Sequence, residues 1–125
     1  MTVLFDTSVL IDDLPGHERA AEVLEHERAA GLLHASELTR PEILAGVRTA
    51  EEKATRSLLS TLIWHPVDAE VAESAGALGR RWLPSHHPID AADLAIAATA
   101  IRIGSGPLTR NVRHFPMFAD LRAPY

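Results

Sequence analysis

The stretch "LFDTSVLID", Leu4 to Asp12, decides the fold. Val3 to Asp6 reads as a buried strand, and Thr7 to Asp12 as the start of a short helix that Pro15-Gly16 breaks. A strand that passes straight into a helix is the opening half of a β–α unit. The aspartate at the junction has two readings. It is a plain helix cap, since Asp is a favoured cap residue, or it is half of a metal site. The rest of the chain has to separate them.

Working outward, the alternation of strand and helix continues. His17 to Ala30, rich in Ala, Glu and Arg, predicts a helix, and Gly31 stops it. Leu32 to Ala35 predicts a second short strand. Ser36 has the chemistry of an N-cap for a helix through Arg48, within which Pro41 requires a later start or a kink. Glu51 to Ile63 predicts a further helix, with Leu58, Leu59, Leu62 and Ile63 on its apolar side, and Trp64 to Val67 a strand. Asp68 caps an amphipathic helix in which Val71, Ala75, Leu78 and Trp82 share one face. After a loop at Ser85 to Pro88, Asp90 opens a helix whose stretch from Leu94 to Ile101 is polar only at Thr99, so it is buried on most sides. Gly104 and Gly106 end it. Pro107 to Thr109 predicts the last strand and Arg110-Asn111 a turn. Such an order implies an α/β fold, a parallel sheet with helices on both faces. Ligands in these folds sit beyond the carboxyl ends of the strands, which places Asp6 and Thr109 at one crevice.

The chain has 125 residues, 46% of them apolar, which fits a single domain over residues 1–125. No apolar run reaches the roughly 18 residues of a membrane span. The N-terminus lacks the pattern of a secretory signal, so a cytoplasmic location is the expectation. Without cysteine, disulfides and thiolate metal sites are excluded. A net charge of −5 argues against a protein that grips long duplex DNA electrostatically. It leaves a nuclease open, because a metal site needs clustered carboxylates.

Four acids can meet in the crevice: Asp6, Glu42, Asp90 and Asp93. Asp90 and Asp93, three apart, share a helix face. Each also has a structural reading, Asp90 as an N-cap and Asp93 as the acidic end of a capping interaction. Glu42 lies in "PEILAG", where Ile43 and Val47 can face the core and Gly46 can leave room beside the carboxylate; its structural reading is a solvent-facing glutamate. Glu37 is a rival in the same segment. Two like charges about 4 Å apart repel by roughly 4 kcal/mol at an effective dielectric of about 20. Such a cluster calls for a cation or retained protons. All-oxygen ligands suit magnesium or manganese rather than zinc.

Four motifs, "FDTSVLID", "TRPEILAG", "HPIDAADLAIAATA" and "LTRNVRHF", stand in the order and spacing of PIN-domain ribonucleases of the VapC toxin family. The chain resembles that family from Leu4 to Phe115. The resemblance implies a PIN-like three-layer fold, a short parallel sheet flanked by helices. It further implies a magnesium- or manganese-dependent endoribonuclease, a VapB-type antitoxin as partner, and a homodimer. By position it makes Asp6, Glu42 and Asp93 the catalytic, metal-holding acids, with Asp90 as an outer-shell ligand. Thr7 or Ser8 is a candidate to contact the metal waters, or simply caps the first helix. Many family members carry a further acid after the late strand; here stand Thr109 and Asn111, and His114 occupies the position where an Asp often precedes Phe115. That departure argues against a second tightly held metal.

Arg110 and Arg113 flank Asn111 and are candidates to hold RNA phosphates at the crevice mouth, or are ordinary solvated arginines. Seven histidines raise the question of zinc, but no His-x-x-x-His pair appears and His86-His87 are adjacent. His114 is a candidate to touch substrate, with a surface histidine the stronger reading, and Trp64 and Trp82 read as core rather than base-stacking platforms. The alternatives to an endoribonuclease are a catalytically silent PIN-fold binding or regulatory module, against which the three acids speak, and a DNA nuclease, which the acidic charge disfavours. The implied antitoxin is expected to inhibit by placing arginines in the acidic crevice.

Overall fold

The computed structural model describes residues 3–13 and 16–125. Four parallel strands form one sheet: β1 (Val3–Phe5), β2 (Leu33–Ser36), β3 (Ile63–His65) and β4 (Pro107–Leu108), in the order β3-β2-β1-β4. Six helices connect them: α1 (Thr7–Asp13), α2 (Glu18–Ala30), α3 (Thr39–Gly46), α4 (Glu52–Ser60), α5 (Ala69–Trp82) and α6 (Ala91–Arg102). The register pairs Leu4 with His34 on one side and with Pro107 on the other, so β1 lies inside the sheet.

Side chains alternate across the sheet, and the core follows that alternation. Val3, Phe5, Leu33 and Ala35 pack against Val9, Leu10, Leu24, Ile43 and Leu59 from α1 to α4. Leu4, on the opposite face, packs against Ile96, Ala97 and Ala100 of α6 and against Phe115. Helix α5 forms an outer cover on α6, through Val71 and Ala75 against Leu94, Ala95 and Ala98. Every residue from 94 to 100 is buried, while Ile101, the last of the predicted buried stretch, is 51% exposed. The small alanines let α6 lie between sheet and α5, and the Thr99 hydroxyl is satisfied by the Ala95 carbonyl at 2.8 Å. Gly79 sits at the tightest point: a Cβ there would lie 3.1 Å from Leu94 Cδ1.

Several boundaries differ from the sequence reading. Ser36 is the last residue of β2, and its hydroxyl accepts from the Leu38 N–H at 3.1 Å; it shapes the turn rather than capping the helix. Helix α3 starts at Thr39, which puts Pro41 in its first turn, where no N–H is needed. It ends at Gly46, not Arg48, because Val47 is already extended. The predicted helix 51–63 is a 3-10 turn, Thr49–Glu51, followed by α4, which stops at Ser60. The Ser60 and Thr61 hydroxyls take the Ser57 and Leu58 carbonyls at 2.7 Å each, and Ile63 has left the helix for β3. Strand β3 thus precedes the predicted 64–67 by one residue. Trp64 and Trp82 are half-buried at the edges of the core; the Trp64 indole donates to Leu59 O at 2.9 Å, and the Arg40 guanidinium lies 4.0 Å over its ring. The break read at Pro15 falls outside the described residues, while Gly16 is a turn at φ +86°. Among the described residues no helix is long and apolar enough to cross a membrane.

Candidate active site at the strand ends

Strands β1 and β4 run side by side and in parallel, so Asp6 and Thr109 emerge together at their carboxyl ends. The Asp6 N–H donates to Leu108 O at 2.9 Å, one bond beyond the ladder. The Asp6 side chain is 6% exposed. Its Oδ2 accepts the Thr109 hydroxyl at 2.8 Å and the Ser8 hydroxyl at 3.2 Å. Each donor is fixed in turn: the Asn111 N–H donates to Thr109 Oγ1 at 2.9 Å, and the Arg110 N–H to Ser8 Oγ at 3.1 Å. Asp6 precedes α1 but is no ordinary cap, since a buried carboxylate gripped by two hydroxyls belongs to a polar network. Thr109 was legible only as a strand end; its role as the main donor to Asp6 depends on two strands 103 residues apart in sequence becoming neighbours.

Asp6, Glu42, Asp90 and Asp93 all line one cleft of about 270 Å³, with Thr7, Ser8, Asn111 and His114. Three chain segments therefore deliver the acids that the sequence motifs single out. Glu42 stands in the first turn of α3. Burial first, and then the charges of Asp6, Asp90 and Asp93, push its carboxyl up from the ordinary value; the nearby Thr7 hydroxyl works the other way. The Thr7 and Thr39 hydroxyls lie 3.1 Å apart beneath this wall. Gly46 is not needed to make room for Glu42, because a Cβ at that position would meet no atom within 4 Å. Glu37, the rival acid, pairs with Arg40 at 2.6 Å outside the cleft.

Asp90 and Asp93 cap the start of α6 and also line the cleft. They form a reciprocal capping box: the Asp93 N–H donates to Asp90 Oδ1 at 2.8 Å, and the Asp90 N–H to Asp93 Oδ2 at 3.1 Å. Both also face the cleft. Burial chiefly raises the Asp93 carboxyl, aided by the Asp90 charge and opposed by hydrogen bonds from the Asp90 backbone and from His114. His114, read from sequence as a surface residue, sits 2.9 Å from Asp93 Oδ2 through Nδ1. The turn Val112–His114 holds it there, anchored by the fully buried Phe115. The aromatic next to the histidine was the available signal.

Arg110 and Arg113 do not line the cleft among the described residues. The Arg110 guanidinium lies 5.6 Å over the Tyr125 ring instead, and Arg113 is exposed on the turn. Nor do any three His, Cys, Asp or Glu side chains among the described residues converge closely enough to hold a metal ion by themselves. The cleft is thus open and acidic, its four carboxylates offer oxygen donors, and a cation would relieve the repulsion among them.

The PIN domain family profile matches residues 3–120. Ribonuclease VapC19 of Mycobacterium tuberculosis is 46% identical over 123 residues, covering 98% of each chain. Ribonuclease VapC10 of the same organism is 37% identical, covering 98% of this chain and 92% of its own. Among solved structures, a toxin-antitoxin complex from Klebsiella pneumoniae contains a chain that superposes with a TM-score of 0.81 at 29% identity, over 98% of both chains. VapBC2 from Rickettsia felis bound to a DNA fragment from their promoter shares the fold, with a TM-score of 0.77 at 22% identity over 98% of this chain and 97% of that one. By profile, by whole-chain identity and by the parallel sheet with its acid-lined end, this chain belongs to the PIN-domain family, in its VapC branch.

Proposed function

We propose that the cleft is the active site of a divalent-metal-dependent endoribonuclease, the toxin of a type II VapBC toxin–antitoxin pair. The observation that carries this reading is the delivery of Asp6, Glu42 and Asp93 from three segments to one cleft, with the carboxyls of Glu42 and Asp93 pushed up there. Whole-chain identity to proteins named ribonucleases supports RNA as the substrate class.

The residues present fit magnesium or manganese. Every acidic donor is a carboxylate oxygen, and magnesium keeps several of its own waters while taking one or two direct carboxylates. That habit suits a set that does not converge on its own. Asp6, Glu42 and Asp93 would hold the ion, with Asp90 behind Asp93. Bound there, the ion would supply positive charge against the phosphodiester and lower the pKa of water. The protein's own work is then to orient and to accept a proton. Asp6 is immobilised by Thr109 and Ser8. A carboxylate of the set that is not bound directly to the ion would orient an attacking water or accept its proton. Thr7 and Asn111 line the cleft as neutral hydrogen-bonding groups for substrate or solvent.

The partner we assign is a VapB-type antitoxin, supported by the toxin–antitoxin complexes among the structural relatives. Arginines from it, inserted among the carboxylates, would inhibit by standing in for the cation. A homodimer follows from family resemblance, and light scattering at micromolar concentration tests it. The central test is cleavage of labelled RNA and of matched DNA by the purified protein, with magnesium, with manganese and with EDTA. RNA cut only in the presence of metal, and not by Asp6→Asn, is the expected result. Intact RNA under all conditions would favour a silent binding module, and equal cutting of DNA a general nuclease.

A further inference from the structure

We infer that His114 is a positioning residue for Asp93, fixing which carboxylate oxygen faces the cleft. Asp93 Oδ2 receives two protein hydrogen bonds, from the Asp90 N–H at 3.1 Å and from His114 Nδ1 at 2.9 Å. A carboxylate only accepts, so Nδ1 carries the hydrogen. No hydrogen bond among the described residues ends on Asp93 Oδ1. The two donors approach from different elements, one from the start of α6 and the other from the turn Val112–His114. Together they remove the freedom of the carboxylate to rotate, and Oδ1 is left for a cation.

The same device recurs on the other wall. Asp6 spends Oδ2 on Thr109 and Ser8. Each of these two acids is therefore held by one oxygen and presents the other. Outer partners of this kind orient ligands, and their loss costs about 10- to 100-fold in metal affinity or activity. His114 does so without adding a negative charge to a cluster that already repels itself.

The inference rests on the cleft being a metal site, and the test separates the two. Manganese binding is measured by electron paramagnetic resonance of the free ion, in wild type and in Asp93→Asn, His114→Ala, His114→Asn and His114→Gln. Melting curves in EDTA check the fold of each. Wild type should bind and Asp93→Asn should not. His114→Ala should weaken affinity about 10-fold or more. His114→Asn should recover most of it, because the Asn amide nitrogen lies where Nδ1 lies, one bond nearer the backbone than the Gln nitrogen. His114→Gln should recover little. Unchanged affinity in His114→Ala, or no gain in His114→Asn over His114→Ala, overturns the positioning role while leaving the metal site intact. Loss as complete as in Asp93→Asn would make His114 a ligand and also overturns it. Binding that is equal in wild type and Asp93→Asn, or absent from both, removes the metal site and the inference with it.

Discussion

Asp6 and Glu42 line the same cleft but are held in unlike ways. Asp6 is 6% exposed, follows an interior strand and has two hydroxyl donors on one oxygen. Glu42 stands on the exposed flank of an eight-residue helix, with the Thr7 hydroxyl nearby, and faces three other carboxylates. The difference separates two ways of keeping a carboxylate near a charged cluster. One is to fix it with donors from the sheet, so that it remains whatever the cleft contains. The other is to leave it adjustable, with its proton affinity responsive to what the cleft holds. On this view the sheet end is the anchor and α3 is the responsive wall.

The largest effect should come from breaking the anchor itself. Asp6→Asn keeps size and much of the hydrogen bonding while removing a charge, and RNA cleavage should fall by at least about 100-fold. Its metal-free melting temperature should match or exceed that of wild type, since repulsion with Glu42 is relieved. Magnesium should stabilise wild type more than the variant, by mass action on the native state. Equal magnesium-induced shifts in both proteins would show that Asp6 is no part of an ion site.

Removing the support rather than the acid should have a smaller consequence. Thr109→Val preserves shape but takes the 2.8 Å donor from a buried carboxylate, which should cost about 1–3 kcal/mol in a chemical denaturation experiment. A change below the resolution of that experiment would mean that Ser8 suffices to hold Asp6, and that the anchor is less built than its geometry implies.

The responsive wall is probed by pH. A carboxyl whose value is raised in the fold contributes stability that is present below its ordinary value, 4.5 for Glu42, and that is lost as pH rises through the raised value. Glu42→Gln mimics the protonated form. In EDTA the melting temperature of Glu42→Gln relative to wild type should therefore increase from about pH 4.5 upward and then level off. Asp93 shifts in the same direction and should leave a residual slope in the variant. A difference that is flat from pH 4 to 8 would contradict the raised carboxyl. The smallest effect is expected at Gly46. With open space around its Cβ position, Gly46→Ala should change stability by no more than about 1 kcal/mol, in the stabilising direction, and leave cleavage unaltered.

The contrast also marks how far the sequence was readable. The β–α alternation, the buried α6 and the capped α5 were legible because apolar spacing and cap residues are local signals. The three motif acids were legible through family resemblance and through their place at strand and helix ends. Boundaries were lost where hydroxyls compete with the backbone, as at Ser36, Ser60 and Thr61. The supports of the acids were harder still. Thr109 reaches Asp6 only because β4 pairs with β1, and His114 reaches Asp93 only because Phe115 is buried beside α6. The first has no local sequence signature, and the second has only the aromatic beside the histidine. Arg110, a candidate phosphate contact by its place in a site motif, carries its guanidinium 5.6 Å over the Tyr125 ring, a neighbour that only the fold supplies.

Among the described residues no further strand pairs with the outer edges of β3 and β4, and those strands are three and two residues long. An unpaired edge is a template for another chain, and the hazard grows with the length and flatness of the edge. Here each offers only a few free backbone groups, and β3 ends in a histidine. The brevity that makes these strands hard to find in the sequence is also what blunts edge-to-edge aggregation.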